Sequence, residues 1–374
     1  MRVLVLGAGF GGLELSTRLS EEFGLGIEVI LIDRSPGFVF GFAKLDVMFG
    51  RAAAQDVTHP YAGLAKPGVR FVSTTIRSID PIARRVETDD GVFDGDVVVV
   101  ALGADLVPEA TPGLLEDGHE FYTVAGAFGL RDVVADFDGG RVVVGVTSSP
   151  FKCPPAPSEC ALLVDDVLTE RGIRDRSSVD LVMPLPAPIP PSPEASRFLL
   201  DEFAARGIGW HPERLVRALD PARHVATFSD GTEMGYDLFL GVPRHRAPEV
   251  VVRAGMTEDG WVPVDPATLE TRFSDVYAVG DVTSVGTPKA GVFAEGQAAV
   301  VAARIAQRVR GEDVDGTYGG RGTCYLQVGA DAVATVDVTF RPGVAPQGFF
   351  EAPSTDQLAQ KAEFAESRIA RWFG

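Results

Sequence analysis

The chain has 374 residues with 52 acidic against 34 basic side chains, a net charge of −18. That length predicts two or three folding units whose cores need no covalent staples, and the negative field disfavours binding to nucleic acid or anionic lipid. Three cysteines exclude a secreted disulfide scaffold and leave catalytic or incidental roles. No window approaches the roughly 20 apolar residues of a membrane span, and the N-terminus enters a strand at once with no signal-peptide cleavage region. A cytoplasmic location is therefore expected.

In chain order, residues 2–6 read as a buried β run, 12–23 as a helix, and Ile27 to Ile32 as a second β run closed by Asp33. Further Val-rich runs at 97–101, 141–146, 179–183 and 276–279 are what parallel strands buried on both faces require. The fold class is α/β. Helices are predicted at about 159–171 and, after a proline cluster read as an extended loop, at about 194–206. A second β-α-β unit begins at residue 141, so the architecture predicted is two Rossmann-like dinucleotide-binding domains. From about 320 the residues alternate as an antiparallel hairpin does, and 354–373 is helical. Domain bounds of 1–108 with 245–320, 109–244, and 321–374 follow.

Gly7, Gly9 and Gly12 form G-x-G-x-x-G between the first strand and helix. Glycines there permit the tight turn and bring backbone N–H groups, including those of Phe10 and Gly11, close to a pyrophosphate. Asp33 ends the next strand, where a carboxylate can accept from ribose hydroxyls, with Arg34 beside it. The later segments Val98 to Gly103, including Ala101, and Tyr277 to Asp281, including Gly280, resemble the two late signatures of two-dinucleotide-domain flavoproteins, which implies FAD with Asp281 at its ribityl chain. Lys289, Gly291 and Val292 then open a helix at about 293–309, whose N-terminus can stabilise negative charge on a reduced flavin by roughly 0.3–2 kcal/mol.

The second unit lacks such a fingerprint. After Val142 to Gly145 the chain reads Val146-Thr147-Ser148-Ser149-Pro150-Phe151-Lys152-Cys153-Pro154-Pro155-Ala156-Pro157-Ser158-Glu159, where prolines remove N–H donors and no further glycine admits a phosphate. We read it as a dinucleotide fold that no longer binds nicotinamide. Cys153, ahead of a helix starting near Ser158 and beside Lys152, is expected to have a lowered thiol pKa.

Residues 151–159, with Gly322-Thr323-Cys324-Tyr325, resemble the redox-cysteine segments of sulfide:quinone oxidoreductases and of the flavoprotein subunit of flavocytochrome c sulfide dehydrogenase, in the same order over residues 1 to about 345. The resemblance implies an FAD enzyme in which sulfide, persulfide or polysulfide meets a Cys153/Cys324 redox pair and electrons pass through the flavin to a quinone or another acceptor. Glu159 matches the glutamate of the family's proline-rich motif, a proton acceptor or a helix-terminal acid. Cys160 does not match the family's third cysteine and reads as a packing residue. Ser158 stands where an aromatic is usual, which widens the expected pocket. The rivals are a type II NADH dehydrogenase or ferredoxin reductase, and a non-catalytic flavin redox sensor.

On the last helix Leu358, Ala362, Ala365, Ile369 and Trp372/Phe373 form an apolar stripe. Its charged face lacks the basic character that favours anionic lipid, so it is expected to pack within the protein or a homodimer, with peripheral membrane contact the lesser alternative.

Overall fold

The computed structural model describes residues 1–313 and 315–374. In chain order the elements that build the site are β1 (Arg2–Leu6), α1 (Phe10–Phe23), β2 (Glu28–Asp33), α2 (Ala43–Met48), β3 (Val69–Ser73), β4 (Val97–Val100), β5 (Gly140–Val146), α3 (Ala156–Glu170), β6 (Ser177–Val182), α4 (Pro193–Arg206), β7 (Ile208–His211), β8 (Leu238–Val242), β9 (Val276–Ala278), α5 (Gly291–Arg310), β10 (Arg321–Gly329), β11 (Ala332–Arg341), β12 (Val344–Ser354) and α6 (Thr355–Phe373). The helices and strands read from the sequence are present with shifts of a few residues at their ends. The strand β12 was not anticipated: it is exposed along most of its length and interrupted by Pro346 and Gly348, so it carries no alternating apolar signal.

Two parallel sheets form the frame. The first has the order β9-β4-β1-β2-β3, and the second places β8, β5, β6 and β7 side by side behind a short strand at His119–Glu120. Both faces of the first sheet are buried: Val3, Val5, Val97 and Val99 point into one apolar layer with α1 and α5, while Leu4, Leu6, Val98 and Val100 point into the other. Period-two alternation with every position apolar is what a doubly covered strand demands.

The third sheet, β10-β11-β12, is antiparallel. Its Leu326, Val328, Val336 and Val338 join the core that surrounds α3 and the second parallel sheet. Cys324 shares their side of β10 by alternation, whereas Thr323 and Tyr325 turn to the opposite side. The pairing of β10 with β11 shifts register between Gln327 and Gly329, a bulge that bends the strand and frees local backbone groups for other partners.

The terminal helix α6 docks on the protein: Ala365, Ile369, Trp372 and Phe373 of the expected stripe pack against the core beside α1, and polar residues share the docked face. Gln357, Lys361 and Trp372 are its buried positions, and Ala362 is exposed. Polar groups find partners along this seam: the Trp372 indole N–H donates to Glu14 Oε2 at 2.9 Å, Arg371 bridges Glu14 and Glu21, and Arg368 meets Glu295. Trp372 also packs edge-on against Phe10 and Phe38, with centroids 5.6 and 5.4 Å apart. Among the described residues no helix is long and apolar enough to cross a membrane.

Candidate functional site

The loop Gly7–Gly12 turns between β1 and α1 because side chains are sterically forbidden there. A Cβ on Gly7, which has φ +102°, would lie 2.4 Å from the Ala101 carbonyl oxygen, and one on Gly12 would lie 1.8 Å from that of Gly7. Gly9 faces open space, and as the cap of α1 it offers no side chain to the first helical N–H groups. Those unpartnered donors and the open surface fit a pyrophosphate. Asp33 accepts from the Ala8 and Ser35 N–H groups, both at 2.7 Å, which fixes its carboxylate at the end of β2; Arg34 is exposed.

Opposite this loop, Gly103 (φ +66°) follows Ala101, and Gly280 (φ +80°) precedes Asp281 in a short turn after β9. Lys289 is only 8 % exposed, so it is not a solvated lysine. Its Nζ donates to the Asp281 and Thr283 carbonyls at 2.6 and 3.0 Å and stands 3.2 Å over the Trp261 ring. Burial lowers the Lys289 ammonium to about 8. Burial also raises the Asp281 carboxyl, against the pull of Lys152, Lys289 and Lys44. Gly291 opens α5 against Phe10, whose ring would be 2.5 Å from an added Cβ, and Val292 follows it.

The cysteines arrive from two directions. Cys153 lies in the loop after β5 with φ +47°, a left-handed conformation that is strained for a residue with a side chain. It is held by its N–H donating to the Lys289 carbonyl at 2.7 Å and by its carbonyl accepting from Ala156 N–H at 2.8 Å. Cys324 enters on β10, which packs against α3. Both are free thiols. Glu159, in the first turn of α3 and 3 % exposed, accepts from the Gln327 backbone N–H at 2.8 Å. Burial pushes its carboxyl up to about 6, opposed by Lys361 and reinforced by Asp46. The Glu159 charge opposes ionisation of both thiols, and each cysteine is close enough to Glu159 to feel it.

The expected acidification of Cys153 is not found. Burial, then Glu159 and Cys324, raise its thiol well above the usual cysteine value. The thiol is three residues ahead of the helix, outside its first turn, and Lys152 directs its Nζ to the Ala104 carbonyl at 3.4 Å. The cation that does favour the thiolate is Lys44 on α2, whose Nζ donates to the Tyr122 carbonyl. Ser158 does not widen a pocket: it is fully buried and faces Met183 Sδ at 4.0 Å. Cys160 is fully buried in the core around α3.

Lys44, Gln327 and Lys361 were not singled out from the sequence. One signal was available. The chain holds only five lysines, Lys44, Lys66, Lys152, Lys289 and Lys361, among many arginines, and four of the five gather around Asp281, Cys153 and Glu159.

On the far side of β10 lies a cleft of about 570 Å³ between α1, α5, β10 and α6, with Val292, Thr323, Tyr325 and Phe364 in its wall and Arg321 and Glu363 at its margin.

A twofold-covered parallel sheet, a glycine loop that fits a pyrophosphate and a pair of thiols beside a buried carboxylate define a dinucleotide-dependent redox protein. The chain belongs to the pyridine nucleotide-disulphide oxidoreductase family, whose description matches residues 1–306, and it is accordingly an oxidoreductase. It is 22 % identical to the mitochondrial sulfide:quinone oxidoreductase of Mus musculus over 357 residues, covering 91 % of this chain and 79 % of that protein. It is 36 % identical to a type II NADH:quinone oxidoreductase of Staphylococcus saprophyticus over 137 residues, 36 % of this chain and 34 % of that one. The sulfide:quinone oxidoreductase structure from Aquifex aeolicus has the same fold, with a TM-score of 0.89 and 22 % identity over 100 % of this chain and 91 % of the other. The likeness in fold therefore extends along the whole chain.

Proposed function

We propose that the protein is an FAD-dependent oxidoreductase that oxidises sulfide or a persulfide at Cys153 and Cys324 and delivers the electrons to a quinone or another acceptor. The observation that carries this reading is the convergence of two thiols, from segments far apart in sequence, around the buried carboxylate of Glu159. The glycine loop, Asp33 and the Gly280–Asp281 turn would hold the cofactor. When bound, FAD supplies a two-electron acceptor that can be reoxidised from a separate face.

The protein's own residues account for the sulfur chemistry. Hydrosulfide attacks a Cys153–Cys324 disulfide; the S–S bond breaks, the new sulfur is carried as a persulfide on one cysteine, and the other leaves as a thiolate. A second sulfur nucleophile takes the outer sulfur away, leaving both cysteines reduced. Re-forming the disulfide would give two electrons to bound FAD and release the two thiol protons one after the other. Because both thiols are raised, to about 12 in the case of Cys324, water is a poor recipient for those protons and Glu159 is the adjacent acceptor. The cleft across β10 offers the acceptor an approach that does not cross the cysteines.

Anaerobic addition of sulfide should bleach the flavin absorption band of the holoenzyme. Bleaching by NADH but not by sulfide would overturn the proposal in favour of the NADH dehydrogenase reading, against which stands the proline-rich loop after β5 with its missing N–H donors. A pH dependence follows from Glu159. With its carboxyl near 6, Glu159 accepts protons only above that pH, so stopped-flow flavin reduction should accelerate as pH rises through about 6. Glu159→Gln should remove this limb while keeping any limb that belongs to sulfide itself. An unchanged profile in the variant would exclude Glu159 as the acceptor.

A further inference from the structure

The acid–base group at the cysteines is wired to the far end of the chain. Gln327 sits at the bulge of β10 and is engaged on both sides. Its backbone N–H donates to Glu159 Oε1 at 2.8 Å, and its side-chain carbonyl accepts from Lys361 Nζ on α6. The Gln327 side-chain amide is fixed in turn by donating to the Gly329 and Ala330 carbonyls at 3.2 and 3.3 Å. Lys361 is 6 % exposed, with its Nζ 4.7 Å over the Phe42 ring. A lysine this deeply buried is costly unless its charge is answered. No carboxylate bonds it directly among the described residues, and the two whose titration it influences are Glu159 and Asp46.

We propose that Lys361 is the positioning residue for Glu159, fixing the proton affinity of that carboxylate through the charge it carries into the site, so that acid–base chemistry at Cys153 and Cys324 requires α6 to be docked. This rests on Glu159 being the proton acceptor proposed above, and it gives the terminal helix a role that covering the core does not require. The groups facing Glu159 are Cys153 from the loop after β5, Cys160 on α3, Cys324 on β10, Asp46 on α2, Tyr122 ahead of the following helix, and Lys361 on α6. Of these, Lys361 is the cation, and the others are neutral or acidic. Its removal therefore moves Glu159 in one direction, toward holding its proton at higher pH.

The test reads Glu159 without turnover. In the sulfide-free holoenzyme, the infrared carboxyl band that Glu159→Gln abolishes is titrated against pH. The wild type should lose the band with a midpoint near 6. Lys361→Met should raise that midpoint by about one pH unit or more, the effect expected on losing one nearby opposite charge. Lys361→Arg, which keeps the charge, should restore it. Gln327→Leu keeps the backbone donor to Glu159 but removes the acceptor that holds Lys361; it should shift the midpoint the same way, which preserves the test if Lys361→Met does not fold. Trp372→Phe, a change at the other end of α6 that fills most of the indole's space and keeps the helix docked, should leave the midpoint in place.

A midpoint unmoved in both Lys361→Met and Gln327→Leu would overturn the proposal. So would an equal shift in Trp372→Phe, which would mean that any change on the docked helix moves Glu159 whether or not it touches Lys361. If the midpoint shifts as expected while sulfide fails to bleach the flavin, the assignment of substrate falls and the role of Lys361 stands.

Discussion

Cys153→Ser should reduce the rate of sulfide-driven flavin bleaching by roughly a thousandfold or more, the scale of loss when a nucleophile that acts as part of a unit is removed. Serine keeps the size and the strained backbone position, but its oxygen can form neither a disulfide with Cys324 nor a persulfide. Cys324→Ser should be as severe, because either change leaves a single sulfur. Cys160→Ala should retain the reaction, since that thiol is sealed in the core around α3. Anaerobic stopped-flow absorption of the three variants decides the matter: a Cys153→Ser enzyme that still bleaches at the wild-type rate would remove the cysteine pair from the mechanism.

Trp372→Ala should destabilise the protein by about 3–5 kcal/mol, the cost of truncating a large aromatic side chain in a packed core. Trp372 is fully buried, and so is the Glu14 side chain that accepts its indole N–H. Removing the ring opens a cavity beside Phe10, Phe38 and Phe40 and leaves Glu14 to Arg371 and Arg18. Phe10 is part of the glycine loop, so flavin retention should weaken with stability. Trp372→Phe fills most of the space and should cost less. Urea unfolding followed by flavin release, compared between the two variants, checks both statements; an alanine variant as stable as wild type would show that α6 is not anchored by this residue.

The parts of the site that could be read in the sequence are those whose chemistry is local. A glycine spacing that permits one turn, a strand of consecutive valines and a cysteine among prolines each carry their meaning within about ten residues. The loop at Gly7–Gly12 and the missing phosphate cradle after β5 are of this kind. The contacts made by Lys44, Gln327 and Lys361 are not, because they depend on α2, β10 and α6 meeting at α3. The acidity of Cys153 was misread for a related reason. Adjacency to Lys152 in sequence suggested a stabilised thiolate, but ionisation responds to burial and to the charges that surround the sulfur, which are Glu159, Cys324 and Lys44. The docking face of α6 was largely legible: most of its apolar stripe lies in the seam, while the burial of Gln357 and Lys361 there depends on polar partners that only the fold supplies.

The gathering of lysines has a practical side. Lys289 and Lys361 are buried, Lys44 and Lys152 are half-buried, and the fifth, Lys66, is half-buried and donates to the Gly374 carbonyl. Amine-directed reagents therefore meet the exposed Met1 amine first, while all five lysine side chains are half-buried or buried. A fluorophore or a surface linker coupled through a limiting amount of activated ester should attach at the N-terminus, leaving the thiols and their surrounding charges unmodified for electrochemistry on a tethered enzyme.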